Sequence, residues 1–177
     1  MNYKLFKIAL VAAVSFTSLA LSAQADKSKR PSPPATTTGK IGNATITINY
    51  GSPAVKGRKI WGDLVPFDKA WRAGANEATT FETDKDIKVE GQTLPAGKYT
   101  LFIIPAEKEW QFVFNSETGQ WGIKRTGEAN YDPAKNVLTV SAKPKSSSTM
   151  NERLLYEVTG KGFVLKWENT EVPVRIK

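Results

Sequence analysis

The sequence predicts an all-β protein: a single antiparallel β-sandwich, jelly-roll-like, with about nine short strands and one or two short helical turns, at 61–65 and 68–72. Three observations predict it. Apolar and polar residues alternate with period two in short runs, most cleanly in ATITINY at 44–50. Gly and Pro clusters end these runs at regular intervals, as in Gly51-Ser52-Pro53 and Leu94-Pro95-Ala96-Gly97. No stretch beyond the extreme N-terminus sustains the 3.6-residue period of an amphipathic helix. Short strands of this kind bury their apolar faces by pairing two sheets or by closing a barrel, and strand count alone does not separate the two.

Taken in order, residues 1–25 read as a signal peptide. Lys4 and Lys7 make a positive start, 8–21 is mostly apolar, and Ala23-Gln24-Ala25 supplies the small-x-small cleavage pattern. Cleavage after Ala25 is expected, giving a mature chain that begins at Asp26 and lies in the periplasm or outside the cell, with no membrane span left. Residues 26–40 are rich in Pro, Ser, Thr and Lys and read as a flexible or extended arm. The β-sandwich domain is then expected over 41–177. After the strand at 44–50 come candidates at 79–83 and 87–90, joined by the Asp84-Lys85-Asp86 turn. KYTLFII at 98–104 has bulky residues on both faces and reads as a central strand, with 110–115 beside it. Further strands are expected at 137–142, 153–159, 163–167 and 172–176, with Thr159-Gly160-Lys161-Gly162 as a hairpin turn. The segments 116–132 and 143–151 read as long connections, the second exposed and mobile.

Composition excludes much chemistry. The chain has no Cys, so disulfides, thiolate metal sites and a lipidated N-terminal Cys are all absent. It has no His, which excludes Ser-His-Asp and Cys-His nucleophile systems and imidazole-ligated metals. Any acid or base must be a carboxylate, Lys or Tyr. No cofactor and no metal is expected. Asp84 and Asp86 offer at most a carboxylate calcium site, and alternating acids at a turn are ordinarily just solvated. The formal charge is +8, two of it from Lys4 and Lys7, and the cations are scattered rather than clustered. That pattern describes a soluble basic exterior, and no nucleic-acid partner is expected.

The densest chemistry lies in GRKIWGDLVPFDKAWRAGANEATT at 57–80. Trp61 and Trp71 offer flat apolar faces. Arg58 and Arg72 offer planar forks for a carboxylate or phosphate. Asp63, Asn76 and Glu77 add acceptors, and Trp121 supplies a second platform from another loop. Aromatic platforms with planar hydrogen-bonding groups suit a sugar or a peptide. The expected ligand-binding set is therefore Arg58, Trp61, Asp63, Trp71, Arg72, Asn76, Glu77 and Trp121, with no catalytic residue assigned. A scaffold reading accounts for the same residues: the indoles plug one end of the sandwich, Arg72 pairs internally with Glu77, and Asn76 satisfies backbone groups.

This run, with LPAGKYTLFIIP at 94–105 and EWQFVFN at 109–115, resembles a family of exported bacterial proteins known as domain of unknown function 2911. The likeness extends from Arg30-Pro31-Ser32-Pro33-Pro34-Ala35 to Val172-Pro173-Val174. The family motif falls on Gly57, Arg58, Trp61, Gly62, Leu64, Val65, Pro66, Trp71, Arg72, Gly74, Ala75, Asn76, Glu77, Ala78 and Thr79. The resemblance implies export and an all-β fold. It brings no activity, cofactor or catalytic residue.

Three functions compete at this level. A non-catalytic binding module for a carbohydrate, peptide or other cell-envelope ligand uses the whole set. A carboxylate-based hydrolase, glycosidase-like, needs two acids flanking one bond, and Asp63 with Glu77 is the best pair by context. A structural or assembly partner in the envelope uses the arm as a tether.

Overall fold

A computed structural model describes residues 26–177, so the expected signal peptide lies outside the described residues. The chain is all-β and antiparallel, with ten strands and two isolated 3-10 turns at Lys27–Lys29 and Pro133–Lys135 among the described residues. The strands are β1 (Pro34–Ile41), β2 (Ala44–Gly51), β3 (Thr80–Thr83), β4 (Ile87–Val89), β5 (Gln92–Leu94), β6 (Gly97–Ile104), β7 (Trp110–Asn115), β8 (Asn136–Ala142), β9 (Lys145–Thr159) and β10 (Gly162–Arg175). One sheet has six strands in the order β1-β2-β3-β6-β7-β8, while β9 pairs with β10 and β4 with β5.

The core lies between the six-stranded sheet and the long β9–β10 hairpin. Ile46, Ile48, Phe81, Leu101, Phe112 and Phe114 enter it from the sheet, and Leu154, Tyr156, Phe163, Leu165 and Val172 from the hairpin. Phe163 joins the layers, its ring 5.7 Å from Phe81 and 5.9 Å from Phe112. Such aromatic pairs add about 0.5–1.5 kcal/mol each beyond the area they bury. β6 sits between β3 and β7, and its central residues are buried on both faces. Phe102 and Val113 point away from the hairpin and would meet water on a bare sheet; the 116–135 excursion covers this side, with Tyr131 4.9 Å from Phe102.

The structure moves three boundaries expected from sequence. The sheet begins at Pro34 rather than near Ile41, because β1 pairs along its whole length with β2. β1 shows no apolar alternation since it is an edge strand held by polar partners: Thr36 to Asn49, Thr38 to Thr47 and Thr37 to the Tyr156 carbonyl. The arm ahead of it is also tied down, as described below. The segment 143–151 is not a loose connection, since β9 starts at Lys145 and pairs with Glu171 and Thr170 of β10. Ser147, Glu171 and Asn151 knit that polar end by side-chain bonds, which leave no hydrophobic signature. Finally, the helical turns expected at 61–65 and 68–72 are absent. Gly62 donates to the Val65 carbonyl and Val65 to that of Ile60, closing a tight turn before Pro66 instead.

Candidate functional site

The 57–80 segment is pinned to the sheet at two places and bulges between them. Trp71 exchanges both backbone hydrogen bonds with Ile103, at 2.8 and 3.0 Å, and Leu101 N–H donates to the Thr79 carbonyl at 2.8 Å. Residues beside β6 therefore come first from the neighbourhood of Trp71 and then from β3, while 72–78 loops out. Inside that loop Ala73 and Asn76 have φ of 56° and 65°, the left-handed region that costs an L-residue about 1–2 kcal/mol. The core holds it there from behind. Tyr156 Oη donates to the Ala73 carbonyl at 2.8 Å and Thr79 Oγ1 donates to the same oxygen at 3.0 Å. Burial pushes the Tyr156 phenol well above its ordinary value, so it stays a donor. Gly51 is required opposite, because a Cβ there would strike the Ala75 carbonyl oxygen.

A second loop docks on the first. Gly122 N–H donates to the Asn76 carbonyl at 3.0 Å, and Ala78 N–H to that of Gln120 at 3.2 Å. The Arg72 side chain lies directly across Gly122, where a Cβ would sit 2.2 Å from Arg72 Cδ. Between the two loops opens a cleft of about 830 Å³, lined by Val65, Trp71, Arg72 and Trp167 and, from the second loop, by Ile123 and Tyr131. That size lies within the range of small-molecule sites.

Four of the five tryptophans gather behind and along this cleft. Trp61 is the hub, with ring centroids 4.4 Å from Trp110, 5.6 Å from Trp167 and 5.8 Å from Trp71. Trp71 and Trp167 are nearly parallel, 13° apart in plane at 5.8 Å. Trp110 and Trp167 are buried. The indole Nε1 of Trp167 and the guanidinium Nε of Arg72 are buried, and neither has a hydrogen-bond partner among the described residues. Both groups are donors. Arg72 forms no ion pair among the described residues, and burial without a counter-charge lowers its pKa. Trp61 Nε1 is likewise without a partner.

The sequence-predicted residues divide accordingly. Arg58, Trp71 and Arg72 line the cleft. Arg58 is partly occupied, its guanidinium donating to the Val55 and Ala54 carbonyls. Trp61 stands behind the lining within the indole cluster. Asp63 is exposed and outside the cleft lining. Trp121, 49% exposed, is also outside it.

Asn76 and Glu77 serve the N-terminal segment instead. Asn76 Nδ2 donates to the Ser32 carbonyl at 2.8 Å. Glu77 accepts two bonds from Arg30 at 3.0 and 2.9 Å and meets Lys27 at 2.9 Å. The Lys27 ammonium, assisted by Arg30, lowers the Glu77 carboxyl to about 2. The internal Arg72–Glu77 pair expected in the scaffold reading therefore does not form; Glu77 has its cations from the arm.

Sequence reasoning missed Trp167, which reads only as a strand residue, and the cleft-lining Lys69, Lys124, Glu128 and Tyr131. The signal for the last three was the aromatic and charged content of GIKRTGEANY at 122–131, inside a segment read only as a connection. Asp84 and Asp86 cap backbone amides, at Thr45 and Ala96, each at 2.7 Å.

The family model described as "Protein of unknown function (DUF2911)" matches residues 32–176. The chain belongs to this family. The DUF2911 match spans β1 to the end of β10 and so takes in both cleft loops, the indole cluster and Ser32. Comparison with curated proteins and with solved structures gives no match.

Proposed function

We propose that this DUF2911 protein is a non-catalytic binding module that takes a carbohydrate, peptide or other small polar ligand of the cell envelope in the cleft between the 57–80 and 122–131 loops. The observation that carries the reading is the cleft itself: an open hollow of about 830 Å³ with Trp71 on its wall, stacked on the buried Trp167, and the Arg72 guanidinium, which has no acidic partner among the described residues, beside it. The 57–80 loop stands on β6 and on the Tyr156 phenol, and the second loop is tied to it through Gly122 and Asn76, so the walls are preformed, which limits the entropy lost on binding.

The acidic pair considered for hydrolysis lacks the required arrangement. Glu77 is engaged by Lys27 and Arg30 and faces the arm, and Asp63 does not share the cleft with it. Glycoside cleavage needs two free carboxyl groups on either side of one bond. The leader pattern at 1–25 supports a periplasmic or secreted location for the module, and a mature N-terminus at Asp26 in the exported protein is the expected result of N-terminal sequencing.

The reading is tested by titrating envelope glycans and peptides while following tryptophan emission and melting temperature. Ligands of the cleft quench or shift the emission and raise the melting temperature, and Trp71→Ala removes both effects. A full panel that changes neither quantity would defeat the proposal.

A further inference from the structure

We infer that the cleft selects an acidic sugar, a glycan unit whose ring carries a carboxylate, and that Arg72 is the group that grips the carboxylate; this rests on the binding reading above. Two features point to an anion. Arg72 is half-buried without an acidic partner among the described residues, and its Nε–H has no acceptor there. The cleft is lined by three further cations, Arg58, Lys69 and Lys124, against one acid, Glu128. A half-buried cation lacking both a counter-charge and a hydrogen-bond acceptor is unfavourable, and an incoming oxyanion supplies both at once.

The shape of the donors favours a carboxylate. The two terminal N–H groups of a guanidinium form a planar two-pronged edge that matches the two coplanar oxygens of a carboxylate. The surroundings favour a sugar over a peptide. Trp71, backed by the buried Trp167, gives the wall an apolar, aromatic surface for the C–H face of a pyranose ring. All the lining residues except Trp167 come from loops, so an extended peptide finds no length of strand edge to pair with.

Gly122 belongs to the same device. Its missing side chain is what allows Arg72 to lie across the second loop, and the Gly122 N–H bond to the Asn76 carbonyl locks that loop in place. Arg72 is thus held at the junction of both loops rather than free to reach solvent.

The test measures binding of oligouronates of the gluco, galacto and manno series and of muramic-acid oligomers, each beside its neutral counterpart, by calorimetry at two salt concentrations. Phosphorylated oligosaccharides and acidic peptides complete the set. The expected result is that an acidic glycan binds about 10- to 100-fold more tightly than its neutral parent, the range for a hydrogen bond to a charged group. Arg72→Gln removes that preference while the melting temperature is held or raised, and Arg72→Lys restores only part of it. Lys124→Gln, at the cleft wall, weakens binding less and mainly at low salt. Should Arg72→Gln fail to fold, the Arg72→Lys and Lys124→Gln comparisons decide the matter. Equal binding of acidic and neutral glycans overturns the carboxylate assignment and leaves the binding module standing. Preference for phosphorylated glycans or for acidic peptides overturns it in favour of those ligands. No binding by any member overturns this inference and the binding reading together.

Discussion

Replacing Gly122 by alanine tests the geometry on which the site depends. The new methyl would lie 2.2 Å from Arg72 Cδ, 3.0 Å from Arg72 Cβ and 2.9 Å from the Asn76 carbonyl oxygen. The Arg72 chain end can swing aside, but the Asn76 oxygen is backbone and is held by Gly122 N–H itself at 3.0 Å. Moving it loosens the contact between the two cleft loops. Forcing a methyl into a packed site of this kind costs about 1–3 kcal/mol. In a domain of this size each kcal/mol lowers the melting temperature by about 2–4 °C. Gly160→Ala is the control, since a Cβ there meets nothing within 4 Å and the turn tolerates it. The assay is thermal unfolding of both variants, followed by titration with the tightest ligand of the wild type. Gly122→Ala is expected to melt several degrees lower and to lose affinity, because Arg72 is displaced from the cleft; Gly160→Ala is expected to match the wild type in both. A Gly122→Ala protein that melts and binds like the wild type would refute the loop contact and the placement of Arg72.

Two further substitutions probe how the site is held. Tyr156→Phe removes one of the two donors to the buried Ala73 carbonyl while Thr79 keeps the other, so a loss of about 1 kcal/mol is expected from chemical denaturation, with the ring packing against Tyr50 retained. Glu77→Gln releases the N-terminal segment from Lys27 and Arg30. Because the folded carboxyl is lowered to about 2 from an ordinary 4.5, its contribution is complete above pH 4.5 and is lost as the pH falls through about 2. Its side chain is 45% exposed, so solvent screening holds the effect to about 1 kcal/mol or less. The stability gap between wild type and Glu77→Gln should therefore be constant between pH 5 and 8, on the order of that value, and narrow below pH 4.5.

The strands that bury one face were plain in the sequence. β2, β6, β7 and β8 carry period-two or fully apolar patterns because their side chains pack against the β9–β10 layer. β1 and the first part of β9 were hidden for the opposite reason. They are exposed, their stability comes from backbone pairing and hydroxyl or amide side-chain bonds, and such residues look the same in a loop. The site was half legible. Trp71 and Arg72 were visible as an aromatic next to a cation in a Gly-rich segment. Their neighbour Trp167 was not, since it lies nearly a hundred positions along the chain, about one domain length, and its strand position gives no hint of the cleft. The Arg72–Glu77 pairing was a misreading of proximity in sequence. A left-handed Asn76 turns the chain between them, and Glu77 faces the arm while Arg72 faces the second loop.

The central claim is that the cleft beside Trp71 and Arg72 holds a ligand, and the indole N–H signals report on it directly. The five tryptophans give five resolvable indole resonances in a nitrogen–proton correlation spectrum, assignable by single Trp→Phe substitutions. On adding the acidic glycan that binds best, the Trp71 signal should move, and that of Trp167 with it through their ring contact, while exposed Trp121 stays in place. Movement of Trp121 alone, or binding that leaves Trp167 and Trp71 unchanged, would contradict the account.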